Sequence, residues 1–141
     1  MIVLTRTRKR APVTSATASG IPAKVWIVDD EWVIATTLAA FLRYSGFDVT
    51  IFFNPLETLK AAENKCPDIL ISDVMMPGMS GIELGVCLKN TYPTCRVLLF
   101  SGHTSTHDML SRARVDGHEF QLLTKPVNPV DLLAVLRHEG R

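Results

Sequence analysis

The stretch that decides the fold is Ile69-Leu70-Ile71-Ser72-Asp73-Val74-Met75-Met76-Pro77-Gly78-Met79-Ser80-Gly81. Its first residues form an apolar run of strand length, which is typical of a strand buried in a parallel sheet. The run delivers one carboxylate, Asp73, to its carboxyl end, and a loop with Pro77, Gly78 and Gly81 follows. A charged side chain where a buried strand meets its loop costs solvation free energy unless a ligand or counter-ion lies beside it. Asp73 is therefore the residue to explain.

Four further apolar runs alternate with helical patterns on either side of this stretch. The predicted strands are 25–28, 48–53, 69–72, 96–100 and 120–123. The predicted helices are about 33–45, 55–65, 81–90, 105–114 and 129–138, two of which open with Asn-Pro, a cap followed by a first-turn proline. Five strands that alternate with five helices imply a parallel sheet covered on both faces. The sequence therefore predicts an α/β fold, a three-layer αβα sandwich.

The size and composition predict one globular domain with a basic extension. The chain has 141 residues, of which 47% are hydrophobic and 21% charged. Residues 1–22 include four basic side chains, no acidic one and no hydrophobic periodicity. We therefore expect a disordered basic N-terminal tail over 1–22 and a single domain over 23–141.

Charge, cysteine content and hydropathy exclude several classes of protein. The net charge is +1, but residues 25–141 hold 10 basic and 14 acidic side chains, which argues against a nucleic-acid partner for the domain surface. The three cysteines form no Cys-x-x-Cys pair and are odd in number, which is typical of free thiols in a reducing compartment. No apolar run approaches the roughly 20 residues that span a bilayer. We expect a cytoplasmic protein without a membrane segment.

Charged or hydroxyl side chains that could bind a metal or a phosphoryl group follow four of the five predicted strands. Asp29 and Asp30 follow the first strand, Asp73 the third, Ser101 the fourth and Lys125 the fifth. The carboxyl ends of parallel strands meet at one edge of the sheet, so these groups converge. Three carboxylates repel one another unless a cation joins them, and oxygen ligands suit Mg²⁺, with Mn²⁺ as a substitute. A hydroxyl and an ammonium beside the metal suit a phosphoryl oxygen, which predicts phosphoryl transfer to Asp73.

Four motifs, in this order, resemble those of a response regulator receiver domain, a module of two-component signalling. They are Val28-Asp29-Asp30-Glu31, the loop 73–81, Ser101-Gly102 and Lys125-Pro126. The resemblance covers about residues 24–138. It implies a flavodoxin-like (βα)5 fold with a five-stranded parallel sheet in the order 2-1-3-4-5, and a cis peptide bond before Pro126.

The resemblance also assigns roles to the residues at the strand ends. Asp73 would accept a phosphoryl group from a sensor histidine kinase or a histidine phosphotransfer protein. The implied metal ligands are Asp29, Asp30, Asp73 and the backbone carbonyl of Met75. Ser101 and Lys125 would hold the phosphoryl group. Beyond Mg²⁺-dependent self-phosphorylation from a donor and autodephosphorylation, no enzyme activity is expected.

The output is expected to depend on another protein. The sequence ends just past the last predicted helix, so we expect a stand-alone receiver that binds a partner or passes the phosphoryl group on in a phosphorelay. The resemblance places the partner surface on the fourth helix, fifth strand and fifth helix.

One position departs from the family pattern. An aromatic residue usually lies three positions before the lysine and turns inward on phosphorylation, but here that position is Leu122. Phe120 is two residues earlier and, on a regular strand, shares the face of Leu122 at a greater distance from the loop. Either a bulge shifts the register or the aromatic switch is absent.

Three alternatives compete with a phosphorylated receiver. The first is a pseudo-receiver, a binding module that works without phosphorylation. The second is a haloacid-dehalogenase-like phosphohydrolase, which needs an acid two residues after the nucleophile, where this chain has Met75. The third is a nucleic-acid binder that uses the basic residues of 6–10. The intact set of polar groups at the strand ends argues against the pseudo-receiver, and Met75 argues against the phosphohydrolase. Removal of residues 1–22 without loss of binding would dismiss the nucleic-acid binder.

Overall fold

The computed structural model describes residues 20–102 and 120–138. They contain five strands, β1 (Lys24–Val28), β2 (Asp48–Phe52), β3 (Ile69–Asp73), β4 (Arg96–Ser101) and β5 (Gln121–Thr124). The strands are parallel and lie in the spatial order β2-β1-β3-β4-β5. The order confirms the predicted flavodoxin-like topology. β3 lies at the centre of the sheet and is buried along its whole length.

Four helices lie in the described part of the chain, and the Asn-Pro signals predicted at the starts of two of them hold. They are α1 (Trp32–Tyr44), α2 (Pro55–Ala61), α3 (Gly81–Thr91) and α4 (Pro129–Leu136). The side chains of Asn54 and Asn128 cap α2 and α4, each followed by proline. Ser80 and Glu83 form a reciprocal capping box at α3.

Some predicted boundaries are wrong. The prediction carried α2 to residue 65, but the helix ends at Ala61. The amides of Glu63 and Asn64 bond to carbonyls three residues back, which tightens the last turn before the chain leaves the helix. α4 ends at Leu136, two residues earlier than predicted. The helix predicted over 105–114 lies outside the described residues, as does most of the tail predicted over 1–22, so both stay predictions.

The apolar side chains form two buried layers, one on each face of the sheet. α1 and α4 cover one face, where Leu38 and Leu42 of α1 and Leu132 of α4 pack against the strands. α2 and α3 cover the other face, with Leu84 and Leu88 of α3 among the buried residues. This arrangement confirms the three-layer αβα sandwich. No helix among the described residues is long and apolar enough to cross a membrane.

The strand register places the polar strand ends side by side. Val28 of β1 pairs with Ser72 of β3, so the residues that follow them, Asp29 and Asp73, are neighbours. Asp73 in turn pairs with Phe100 of β4, the residue before Ser101. Burial of the central strands thus fixes which side chains meet at the carboxyl edge of the sheet.

The pairing of β4 with β5 shows whether a bulge shifts the position of Leu122. β4 and β5 pair regularly over four residues, from Leu98 with Gln121 to Ser101 with Thr124. Leu122 therefore keeps the position that the sequence assigned to it, with no bulge within β5. Phe120 lies just before β5 rather than in it, and both side chains pack on the face covered by α2 and α3.

Candidate functional site at the carboxyl edge of the sheet

Three carboxylates meet where β1 and β3 end. One oxygen from each of Asp29, Asp30 and Asp73 lies within 4.8 Å of the other two. Asp29 is 1% exposed and Asp73 is 6% exposed, whereas Asp30 faces solvent. Two buried carboxylates so close to a third are costly unless positive charge offsets them.

One carboxylate oxygen of Asp29 accepts a hydrogen bond from the described residues, and the other accepts none. The backbone N–H of Glu31 donates to its Oδ1 at 2.8 Å. Its Oδ2 is buried and has no hydrogen-bond partner among the described residues, although the Lys125 ammonium lies 3.5 Å away. Burial raises the pKa of Asp29, and the charge of Asp73 raises it further. Oδ2 accepts no hydrogen bond from the described residues and is therefore available as a ligand atom for a cation.

Asp73 has a similarly perturbed carboxyl group. Burial raises its pKa, and the Asp30 charge adds to the rise, while Lys125 at 3.3 Å and the backbone N–H of Met75 counter it. The net direction is upward. A carboxylate with a raised pKa holds its negative charge at a cost, which a bound cation or a covalent group on the oxygen would relieve.

Lys125 lies between three carboxylates. Its Nζ is 3.5 Å from Asp29 Oδ2, 3.2 Å from Glu31 Oε1 and 3.3 Å from Asp73 Oδ1. Burial lowers its pKa, but the charges of Asp29 and Asp73 more than offset that effect, so its pKa is raised and the side chain stays protonated. The backbone is anchored as well, since the Lys125 N–H donates to the carbonyl of Ser101 at 3.0 Å.

Ser101 and Gly102 close the other side of the site. Ser101 is the buried last residue of β4 and follows Phe100, the strand partner of Asp73. A β-carbon on Gly102 would lie 3.7 Å from Cβ of Lys125, an ordinary contact, so position 102 has room for a small side chain. The peptide bond between Lys125 and Pro126 is cis, as the resemblance implied.

A family model for the response regulator receiver domain matches residues 25–137. The chain belongs to this family. Among curated relatives, the probable transcriptional regulatory protein TcrX of Mycobacterium tuberculosis is 32% identical over 85% of this chain and 50% of its own length. The transcriptional regulatory protein CreB of Escherichia coli is 34% identical over 80% of this chain and 48% of its own length.

Solved receiver structures have the same fold. A receiver domain protein from Clostridium thermocellum superposes with a TM-score of 0.73 at 29% identity, over 81% of this chain and 90% of that one. The chemotaxis protein CheY4 of Vibrio cholerae superposes with a TM-score of 0.72 at 31% identity, over 81% of this chain and 95% of that one. The chain spans about half the length of TcrX and CreB and is similar to them over the receiver part.

Receiver domains are phosphoryl-accepting signalling modules rather than enzymes in the ordinary sense, and they bind Mg²⁺. The donor set of this receiver consists of carboxylate oxygens, which suit that ion. One of these oxygens, Oδ2 of Asp29, is buried and accepts no hydrogen bond from the described residues. Asp29, Asp30 and Asp73 fit the ion as a group. The acidic pocket of this receiver therefore fits both metal binding and phosphorylation.

The loop after β3 gives this receiver site its shape. Gly78 has a φ of +88°, a conformation that favours glycine, and the N–H of Gly81 donates to the carbonyl of Val74 at 2.8 Å. This bond returns the chain to the end of β3 and leaves Met75 on the surface, with its side chain exposed. The carbonyl of Met75, predicted as a metal ligand, thus belongs to a loop that begins directly at Asp73.

The structure brings four of the predicted site residues together and adds one to which the sequence analysis gave no role. Asp29 and Asp73 both contact Lys125, with Asp30 in the same carboxylate group. The addition is Glu31, whose Oε1 accepts a hydrogen bond from Lys125 at 3.2 Å. Glu31 is part of the motif Val28-Asp29-Asp30-Glu31, but the sequence analysis gave it no role. Its position directly after the two aspartates is the feature of the sequence that could have indicated one.

Proposed function

We propose that this receiver domain accepts a phosphoryl group on Asp73 from a sensor histidine kinase or a histidine phosphotransfer protein, with Mg²⁺ as cofactor and Mn²⁺ as a substitute. The observation that carries the proposal is the contact of Lys125 Nζ with Asp73 Oδ1, at 3.3 Å, inside a group of three carboxylates. An ammonium and a group of carboxylates that fits a metal, both beside one buried carboxylate, suit a dianionic phosphoryl group.

The proposed reaction is an in-line transfer. An oxygen of Asp73 attacks phosphorus while the bond from phosphorus to the imidazole nitrogen of the donor breaks, and the imidazole takes up a proton from solvent. Lys125 and the Ser101 hydroxyl donate hydrogen bonds to the phosphoryl oxygens. Asp29, Asp30, Asp73 and the Met75 carbonyl would hold Mg²⁺, which would supply positive charge against the carboxylates and the phosphoryl oxygens. The same groups would support self-phosphorylation from a small donor and autodephosphorylation.

Incubation with Mg²⁺ and acetyl phosphate, followed by intact-mass measurement, tests this proposal. We expect a mass gain of one phosphoryl group in the unaltered protein and none in Asp73→Asn. Asp131→Asn, which removes an exposed carboxylate from the first turn of α4, is the matched control and should gain the same mass. No gain in the unaltered protein, or an equal gain in Asp73→Asn, would overturn the assignment of Asp73.

The output is proposed to pass through protein contacts. The surface suggested by the family comprises β5, α4 and the helix predicted over 105–114, which lies outside the described residues. A downstream partner would bind there, or the phosphoryl group would pass to another protein in a phosphorelay. The relatives TcrX and CreB are named as transcriptional regulatory proteins, whereas the acidic excess of residues 25–141 supports a protein partner for this receiver.

The second candidate is a pseudo-receiver that binds a partner without phosphorylation. Leu122 favours it, because the regular register of β5 leaves a leucine where the family usually has an aromatic switch. The intact contacts of Asp29 and Asp73 with Lys125 favour the phosphorylated receiver. The mass measurement distinguishes the two candidates directly.

A further inference from the structure

Glu31 is placed to cap α1 but does not cap it. α1 begins at Trp32, and Glu31 is its N-cap residue, in an extended conformation with φ −90° and ψ 105°. Its side chain makes no capping hydrogen bond, and the first turn of α1 contains no acidic residue. A short polar side chain at this position would satisfy a free amide of the helix and stabilise it. The Glu31 carboxylate instead reaches Lys125, 94 residues later in the chain, at 3.2 Å.

Of the three carboxylates around Lys125, only that of Glu31 is outside the group of oxygens that fits a metal. Asp29 and Asp73 are buried and belong to the group of oxygens that fits a metal. Glu31 is 60% exposed in its side chain and is in contact with the ammonium from the solvent side. An ammonium has three donors, and here three carboxylates already surround it. A phosphoryl group on Asp73 must therefore share or replace one of these contacts.

We propose that Glu31 is a positioning residue that holds Lys125 before phosphorylation and competes with the incoming phosphoryl group for its ammonium. The inference rests on the proposed phosphorylation of Asp73. Release of Lys125 from Glu31 is then part of the free-energy change of phosphorylation. The Glu31 contact lowers the affinity of the site for a phosphoryl-like anion while leaving its carboxylates available to the metal.

Two substitutions distinguish the effect of the contact between Glu31 and Lys125 from the effect of the negative charge of Glu31. Glu31→Gln removes the charge. Glu31→Asp keeps the charge but shortens the side chain by one methylene, and aspartate is a preferred N-cap, so the amides of α1 draw its carboxylate away from Lys125. Glu57→Gln is the matched control: Glu57 is exposed in the first turn of α2, at the same edge of the sheet, and its carboxylate has no ion-pair partner among the described residues.

The probe is beryllofluoride, an analogue of the phosphoryl group, titrated at saturating Mg²⁺ and followed by ¹⁹F NMR of the bound species. We expect Glu31→Asp and Glu31→Gln to bind it about two- to fivefold more tightly, the size of effect that a partly exposed ion pair supports. Glu57→Gln should match the unaltered protein. Mg²⁺ affinity without beryllofluoride should be unchanged in Glu31→Asp and weaker in Glu31→Gln, because only the latter loses negative charge near the ion.

Each outcome decides the question. Tighter anion binding in Glu31→Gln but not in Glu31→Asp would show a general charge effect and overturn the competition. Equal binding in all variants would overturn it as well. If the unaltered protein binds beryllofluoride and gains a phosphoryl group while Glu31→Asp behaves like it, the inference about Glu31 fails and the phosphorylation of Asp73 stands. If the unaltered protein does neither, the proposed function fails, and the inference falls with it.

Discussion

The α-carbon of Gly81 lies so close to the backbone carbonyl of Asp73 that a β-carbon at position 81 would collide with it. The same β-carbon would lie 2.8 Å from the hydroxyl oxygen of Ser72. That hydroxyl donates a hydrogen bond to the Asp73 carbonyl. The first residue of α3 is thus packed directly on the last residue of β3. This contact closes the loop between them and holds the backbone from which the Asp73 carboxylate projects.

Gly81→Ala should therefore destabilise the protein. The added methyl group must push apart the end of β3 and the start of α3, and overpacking of this kind costs about 1–3 kcal/mol in the free energy of unfolding. Denaturant titration measures the loss. Gly102→Ala is the control, since its β-carbon would meet Lys125 at 3.7 Å and should change stability little. Equal stability of the two variants would show that the loop yields to the methyl group without cost.

The buried carboxylates predict a pH dependence of stability in metal-free protein. Burial raises the pKa of Asp29 above its ordinary value of 3.8, so the folded state binds its proton more tightly than the unfolded state does. Stability contributed by this group is therefore present below the ordinary pKa and is lost as pH rises through the raised one. Asp29→Asn removes the titrating group. We expect the Asp29→Asn variant to gain stability relative to the unaltered protein as pH rises from about 4 to 7.

Denaturant titrations in the presence of a chelator, at several pH values, supply that comparison. The quantity to follow is the difference in the free energy of unfolding between Asp29→Asn and the unaltered protein, because carboxyl groups distant from Asp29 contribute equally to both. A difference that stays constant with pH, or that changes in the opposite direction, would contradict the raised pKa of Asp29.

Mg²⁺ should offset the loss of stability that the buried carboxylates cause, and its binding should change the fluorescence of Trp32. An ion that binds the folded state alone stabilises it by about 2.7 kcal/mol at a concentration about 100 times its dissociation constant. Trp32 is the first residue of α1, two positions after Asp30, and its side chain is 64% exposed. We expect its fluorescence to change on Mg²⁺ addition, together with a rise in the unfolding midpoint.

Trp32→Phe is the control for that signal, because the second tryptophan, Trp26, is buried in β1 against Phe52. The variant should keep the Mg²⁺-dependent rise in midpoint and lose the fluorescence change. A fluorescence signal from the unaltered protein that stays constant while Mg²⁺ raises the midpoint would show that Trp32 does not sense the ion.

The contrast between Asp73 and Glu31 shows which parts of the site the sequence could predict. Asp73 follows a buried strand, and the geometry of a parallel sheet alone brings it to the edge where the other strand ends meet. Glu31 lies at the start of a helix, where a carboxylate ordinarily serves the helix itself. Its contact with Lys125 depends on where β5 places a residue 94 positions away, which local patterns do not determine.

Phe120 illustrates a second limit of the sequence and yields the last prediction. The apolar pattern placed it inside β5, whereas the structure has it just before the strand, with its ring beside Gly85 of α3. A β-carbon on Gly85 would lie 3.3 Å from Cζ of Phe120 and 3.1 Å from Cγ1 of Val97, both tight contacts. Gly85 therefore makes room for the ring, at a cost in helix propensity.

A double-mutant cycle tests this pairing. Gly85→Ala alone should not stabilise the protein, because the crowding with Phe120 and Val97 offsets the propensity gain of about 1 kcal/mol. In a Phe120→Leu background the ring is gone, and the same substitution should recover part of that gain, which gives a coupling of about 0.5–1 kcal/mol. Denaturant midpoints and slopes of the four proteins measure it. Strict additivity would mean that the position of the ring does not depend on the glycine, and that the crowding at Gly85 comes from Val97 alone.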